Sequence, residues 1–363
     1  MVVFRLVCCI LCILLLSTSS VYAAPNHIQG YYLHGANMPW LNWGQDFGGG
    51  LDTTQTDAKM AQAQAAGMHV IRWWLFEGGA QHIQRNRSGV PTGIDASVYT
   101  DLDKALALAA KHDIYLEMTL FASPGDVPWF AASTSTHQAL ANVLTPMFQR
   151  YASNSHLLAW EVVNEPDFNT GSATVTQSRD LIGKVTTAIH ASGATLVDID
   201  GTQNSTVGHW TGLGADFYSV HCYSSQCPLP SGLDKPVVVG EMDPDLWQAY
   251  YNSGFAGALC WSLSPEHTAD NFPCDMSGAK TFASGKADIG PVAQQGVTPT
   301  PVPPTATAIP PTSTSVPTNT PAPTATPVPT STSVTTPACQ AEVSIYGGPL
   351  QFVPEPAAFC GLS

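Results

Sequence analysis

The sequence predicts an α/β fold, a (β/α)8 TIM barrel, followed by a disordered Pro/Thr-rich linker and a short C-terminal tail. Three observations lead there. Between residues 30 and 263, short apolar segments of strand length alternate with segments that carry apolar residues at helical spacing. That alternation is the pattern of a parallel sheet whose crossovers are helices. Residues 24–295 make up about 270 residues, near the ~250 of one such barrel. A doubly wound open sheet is the alternative, but no Gly-x-Gly-x-x-Gly turn follows the first strand candidate.

Both ends of the chain differ in composition from the segment between them. Arg5 precedes an apolar run over residues 6–16, then Ser and Thr, then Val21-Tyr22-Ala23, a small-residue cleavage pattern. Residues 1–23 therefore read as a secretory signal peptide. The apolar run is short of the ~20 residues that a spanning helix needs. Residues 296–337 are almost wholly Pro, Thr, Ser, Ala and Val without a charged side chain. Such a segment cannot bury a core and reads as an extended linker. The tail, residues 338–363, is too short for a core of its own unless Cys339 and Cys360 staple it. It reads as a truncated module and is assigned no function.

The elements follow in order. Residues 30–34 form the first strand candidate, which places Asn37 and Trp40 on the loop above it. Residues 53–66 carry a helical pattern closed by Gly67, and residues 69–76 form the second strand, which buries Arg72. A charge inside an apolar strand needs a partner, so Arg72 is expected to pair with a catalytic carboxylate or with a structural acid such as Glu77. Helical spacing returns over 98–112, strand character over 114–121 and helical spacing over 136–151. The fourth strand enters at Leu157 and runs through Trp160-Glu-Val-Val-Asn-Glu-Pro166, where Pro166 stops ladder pairing. After a helix over 174–192, strands at 194–199, 216–223, 236–242 and 257–263 start only about twenty residues apart, which leaves room for short helices at best. Residues 244–251 supply the clearest of these.

Composition narrows the partner. The chain has 27 Asp plus Glu against 13 Lys plus Arg, a net charge of −14, which argues against nucleic acid and suits a neutral polymer. Removal of the signal takes Cys8, Cys9 and Cys12 with it. The cysteines left are even in number, and nearness in sequence pairs Cys222 with Cys227, Cys260 with Cys274 and Cys339 with Cys360. Neither Cys-x-x-Cys nor His-Glu-x-x-His occurs, so no metal site and no cofactor is expected.

In a barrel, the C-terminal strand ends converge on one cleft. Here they supply Asn37, Arg72, Asn164, Glu165, His221, Tyr223, Glu241 and Trp261. His221 and Tyr223 are two apart and share a face, whereas Cys222 points the other way. Two carboxylates on two strand ends suggest an acid/base and nucleophile pair.

This set resembles the retaining glycoside hydrolases of clan A, and most closely glycoside hydrolase family 5, the cellulase and mannanase group. The matching pieces are Ile71-Arg72, Asn164-Glu165-Pro166, His221-x-Tyr223, Glu241 and Trp261, spread over residues 31–263. The resemblance implies that Glu165 is the acid/base and Glu241 the nucleophile. It also implies that Asn164 meets a sugar 2-hydroxyl, that Arg72 and Tyr223 hold Glu241, that His221 lines the site and that Trp261 forms a sugar platform. Many members end the third strand with a histidine, but the segment Glu117-Met-Thr-Leu-Phe121 offers none. Glycoside cleavage needs one protonated carboxyl to donate to the leaving oxygen and one ionised carboxylate to attack the anomeric carbon. A nearby ionised Glu241 would help Glu165 keep its proton.

Aromatic faces stack on sugar rings, which nominates the loop tryptophans Trp40, Trp43, Trp129 and Trp210 for the groove, with Trp73, Trp74, Trp160 and Trp247 as structural. The expectation is a secreted, extracellular, monomeric endo-β-glycosidase acting on a β-linked glucan or mannan. It has no nucleic-acid partner and no membrane contact after signal cleavage. The alternatives are a carbohydrate-binding protein that keeps the barrel without turnover, and a clan member acting on xylan or short β-glycosides.

Overall fold

The computed structural model describes residues 27–223 and 225–289, together with the short strands Ala341–Val343 and Gln351–Val353. The predicted signal, the linker and the Cys339–Cys360 pairing lie outside the described residues.

Eight parallel strands close into a barrel: β1 Leu33–Asn37, β2 Val70–Trp74, β3 Tyr115–Thr119, β4 Leu157–Glu161, β5 Leu196–Gly201, β6 Phe217–Tyr223, β7 Val237–Asp243 and β8 Gly257–Cys260. Each strand pairs with its neighbour in sequence, and β8 closes on β1 with Leu33 opposite Gly257. The crossovers carry α1 Thr53–Ala65, α2 Ala96–Lys111, α3 Thr134–Tyr151, α4 Val175–Ser192 and α5 Trp247–Asn252, and α6 Met276–Ala283 follows β8. The helix starts are written in the sequence. Asp52 accepts from the Thr54 and Gln55 amides at the head of α1, and Thr174 with Gln177 forms a capping box on α4. In a second compact unit, Ala341–Val343 and Gln351–Val353 pair as an antiparallel ribbon.

The first strand departs from expectation by three residues. Ile28 and Tyr31 exchange backbone bonds across a tight turn that puts Gly30 at φ 90°, so the ladder begins at Leu33 and Asn37 becomes the last strand residue. Among the elements that escaped the sequence reading are the hairpin of Ile83–Arg85 with Pro91–Ile94, and α6. The compressed second half is as short as expected. Val207–Trp210 forms only a 3-10 turn between β5 and β6, and no helix joins β6 to β7 among the described residues.

Alternation along each strand sorts the side chains into two cores. Outward residues such as Ile71, Trp73, Leu116, Met118, Trp160, Val220 and Val239 pack with the helices in the larger one. Inward residues at the N-terminal end, Leu33, Val70, Tyr115, Phe217, Val238 and Leu259, form an apolar plug. Above it the interior turns polar, with Arg72, Glu117, Glu161, Asp198, Asp200 and Ser219 all buried. A barrel interior is ordinarily filled by branched aliphatic residues, so a charged layer at this height is built for something other than packing.

Candidate active site

Arg72 is the hub of that layer. Its Nε and Nη2 donate to the two oxygens of Glu161 at 2.5 and 2.7 Å, Nη1 donates to Asn37 Oδ1 at 3.0 Å and to Glu241 Oε1 at 2.8 Å, and Nη2 also reaches Asn164 Oδ1 at 2.8 Å. All five guanidinium N–H groups are thereby used. Burial disfavours the charge, but Glu161, Glu241 and Asp200 outweigh it and hold Arg72 protonated well above its ordinary range. The guanidinium plane also lies 4.3 Å over Trp74. The expected pairing with Glu241 is present, and the structural acid beside it is Glu161 rather than Glu77.

Glu241 reaches the interior through an irregularity. Val239 pairs with Val220 and Glu241 with His221, which leaves Gly240 as an extra residue in β7. Val238 and Gly240 both face inward. A Cβ on Gly240 would lie 2.9 Å from Ser219 Cβ, so only glycine fits there. The bulge then turns Glu241 inward as well. Its Oε2 accepts from the Tyr223 hydroxyl at 2.5 Å, completing a two-donor clamp with Arg72. Burial, followed by the charge of Glu241, pushes the Tyr223 hydroxyl far above its usual range, so it stays a donor.

Glu165 stands at φ 47° on the turn after β4, where its carbonyl accepts from the Phe168 amide. Its own N–H donates to Asp200 Oδ2 at 2.7 Å, and Asp167 accepts from Thr202 at 2.9 Å, so the turn is tied to the end of β5. His221 bridges the two carboxylates: Nδ1 lies 2.9 Å from Glu165 Oε1 and 3.3 Å from Glu241 Oε2. Those oxygens therefore stand no more than about 6 Å apart. Burial pulls the imidazole down, but Asp200, Glu241 and Glu165 together push it up to about 10.

Asn164 and Glu165 are half-buried and open to the mouth, and Tyr223 is 38% exposed. Because Asn164 Oδ1 is occupied by Arg72, its amide NH2 is the donor left for a ligand. Asn37 is fully buried and donates to the Gly240 and Cys260 carbonyls, which makes it a support for β7 and β8 rather than a contact on the loop above.

The aromatic expectations divide. Trp40, Trp74 and Trp261 meet edge to face beside Arg72, with Trp43 against Trp40 at 4.4 Å and 57% exposed. Trp74, expected to be structural, points inward and joins this wall. Trp129 does not line the groove: it is 2% exposed, donates to the Gly89 carbonyl and lies under Arg85 at 4.8 Å. Trp210 is buried in the outer core as well.

The disulfides pair as nearness suggested, Cys222 with Cys227 and Cys260 with Cys274. Each bond begins beside a site residue: Cys222 lies between His221 and Tyr223, and Cys260 precedes Trp261.

Sequence reasoning missed Glu117, Thr119, Glu161, Asp198, Asp200 and Ser219. Thr119 stands near the end of β3 and donates to Glu161 Oε2 at 2.8 Å. The overlooked signal was a run of acids at inward positions of apolar strands, such as Asp198 and Asp200 in Leu-Val-Asp-Ile-Asp-Gly. Among the described residues, oxygens of Glu117, Glu161 and Asp198 lie within 4.8 Å of one another. Both Glu161 oxygens are taken by Arg72, and Asp198 accepts from Ser219 Oγ at 2.5 Å. Burial pushes Glu117 up to about 7 and Asp198 well above the carboxylate range, so a retained proton relieves the trio. Arg72, Thr119 and Ser219 supply donors to Glu161 and Asp198, while Glu117 Oε2 and Asp198 Oδ1 are buried without a hydrogen-bond partner among the described residues.

Comparison with known proteins follows the same lines. A mannan endo-1,4-beta-mannosidase of Cryptopygus antarcticus is 25% identical over 70% of this chain and 86% of its own. One of Mytilus edulis is 22% identical over 64% and 83%. The beta-mannanase structure from Mytilus edulis superposes with a TM-score of 0.62 at 20% identity, over 72% of this chain and 94% of that one. The beta-1,4-mannanase of Aplysia kurodai gives 0.63 at 19% identity, over 72% and 95%. The model of the cellulase family, glycosyl hydrolase family 5, matches residues 21–280. The chain belongs to that family and is a glycoside hydrolase.

Proposed function

We propose that this protein is a secreted, retaining endo-β-mannanase in which Glu165 is the acid/base and Glu241 the nucleophile. The observation that carries the reading is the pair of carboxylates bridged by His221, with oxygens within about 6 Å, below the ~6.5 Å at which inverting pairs begin. A separation under that limit favours direct attack by Glu241 over attack by an intervening water. Glu165 donates its proton to the glycosidic oxygen as Glu241, aimed by Arg72 and Tyr223, attacks the anomeric carbon. The bond to the leaving sugar breaks and a glycosyl–Glu241 ester forms. Water then attacks that carbon, Glu165 takes its proton, and Glu241 leaves with the β configuration restored.

Asn164 offers its NH2 to the 2-hydroxyl, and the Trp40, Trp74 and Trp261 wall receives the sugar face. Exposed Trp43 on the β1 side and exposed Phe168, three residues past Glu165, suit a polymer that continues beyond the cleavage point in both directions. The choice of mannan leans on the two mannan endo-1,4-beta-mannosidases to which the chain is similar. The family's cellulase description keeps β-glucan as the second substrate. Two disulfides at the cleft suit an oxidising compartment, in accord with the signal-like residues 1–23. No helix among the described residues is long and apolar enough to cross a membrane.

The test is reducing-end release from soluble glucomannan by the full chain, beside Glu165→Ala and Glu241→Ala, with products identified and the first anomer followed by proton NMR. Expected are mannose reducing ends, an initial β anomer and loss of turnover in both variants. Glucose ends alone would move the substrate to β-glucan. An initial α anomer, or turnover surviving Glu241→Ala, would overturn the mechanism.

A further inference from the structure

We infer that Asp200, near the C-terminal end of β5, is a positioning residue for the acid/base: it anchors the backbone of Glu165 and, through His221, sets how readily the Glu165 side chain releases its proton. The inference rests on Glu165 being the acid/base, as proposed above.

Asp200 is fully buried and reaches Glu165 by two routes. Its Oδ2 accepts the Glu165 N–H at 2.7 Å, and the same oxygen lies 3.3 Å from His221 Nε2, whose ring extends to Glu165 Oε1 through Nδ1 at 2.9 Å. The backbone route bears a load. Glu165 holds a left-handed φ of 47° directly before Pro166, whose ring pushes its predecessor toward extended backbone. The hydrogen bond from its amide to Asp200 ties a strained residue that must carry a reacting group to the end of β5.

The side-chain route works through charge. The groups around Asp200 are Arg72 from β2 with Nη2 at 4.0 Å, Glu117 from β3, Glu161 from β4, Asp198 on its own strand, and Ser219 and His221 from β6, with Glu241 from β7 on the far side of the His221 ring. All N–H groups of Arg72 are committed to other partners, so His221 is the cation whose protonation Asp200 can govern. Burial pushes Asp200 up to about 7, while His221 is held up to about 10. The ring therefore takes the first proton. Near pH 8 the pair is an imidazolium beside a carboxylate. An imidazolium donating from Nδ1 stabilises the Glu165 carboxylate, the form that proton donation leaves behind and the form that activates water in the second step. A neutral ring would instead accept from the Glu165 acid and retain its proton.

The experiment is the pH dependence of kcat/KM on soluble glucomannan for the full chain, Asp200→Asn, Asp200→Ala and Glu165→Ala. Asn keeps an acceptor for the Glu165 amide and removes the charge. Its alkaline limb should move up by about one pH unit, a tenfold change in one proton equilibrium, with KM near that of the unaltered protein. Asp200→Ala should show the same displacement and a further fall in kcat of about tenfold or more, since the anchor is lost too. A purely structural Asp200 would lower the melting temperature and leave the limb in place, and an unmoved limb in folded Asp200→Asn overturns the inference. Should that variant not fold, nitrogen-15 NMR of His221 in the unaltered protein decides. A doubly protonated ring at pH 8 supports the inference, and a neutral one refutes it. Turnover surviving Glu165→Ala would sink the assignment of the acid/base itself, a failure distinguishable from an unmoved limb.

Discussion

Replacing Arg72 by lysine keeps the charge and removes the geometry, which makes it the sharpest probe of how the candidate active site is held. The guanidinium spends five N–H groups on Glu161, Glu241, Asn164 and Asn37, all within 3.0 Å. An ammonium has three donors on one atom and cannot span four side chains from three strands and the segment after β4. At least two buried acceptors therefore lose their partner, at about 1–3 kcal/mol each, so Arg72→Lys should cost about 2–6 kcal/mol. Against the ~5–15 kcal/mol of a typical domain that is a large fraction. The assay is equilibrium urea unfolding of the full chain followed by tryptophan fluorescence, alongside kcat on glucomannan. Because Glu241 loses a donor and Asn164 loses the bond that turns its amide to the cleft, kcat should fall about a hundredfold or more even where the variant is folded. A variant within ~1 kcal/mol of the parent and with unchanged kcat would refute the reasoning, since the network would then be incidental.

Further outcomes follow from neighbouring groups. Tyr223→Phe removes the 2.5 Å bond to Glu241 Oε2 and leaves the ring, so kcat should fall about ten- to a hundredfold with KM little changed, read by steady-state kinetics. The fold should be most stable in mild acid. Glu117 and Asp200 are pushed up to about 7 and His221 up to about 10, so between their unfolded and folded values the native state binds more protons, and stability falls as pH rises toward 10. Asp180, held at about 2 chiefly by Lys184 and His137 against the opposing effect of burial, works the other way and is lost as pH drops below 4. Melting temperatures across pH 3–10 should peak near pH 4–5, and a maximum near pH 9 would contradict the buried acid cluster. Cys222→Ser combined with Cys227→Ser should lower kcat several-fold, because the bond closes the loop that follows Tyr223; kcat equal to that of the parent would show that β6 alone fixes the hydroxyl.

The strand-end residues were legible because a closed parallel barrel sends every C-terminal strand end to one mouth. Arg72, Asn164, Glu165, His221, Tyr223, Glu241 and Trp261 all assemble there. The loop tryptophans were less legible. Trp40 and Trp129 both follow a strand and both look available to a ligand, yet Trp40 joins the wall beside Arg72 whereas Trp129 folds under Arg85. Local composition does not encode which way a loop folds back, since that depends on the surface it meets.

The sequence by itself determined the alternation of elements, the number of barrel strands, the two strand-end carboxylates and the pairing of Cys222 with Cys227 and Cys260 with Cys274, because each is a property of spacing along the chain. The tertiary structure decided the rest. Strict alternation that turns Val238 inward would send Glu241 outward with Val237 and Val239; only the extra residue at Gly240, a position the close approach of Ser219 restricts to glycine, brings it beside Tyr223 and Arg72. Likewise, the acids that share Arg72 could be named only once β2, β4 and β7 were closed around it, because a buried charge is satisfied by whatever lies across the barrel and not by what lies near it in sequence.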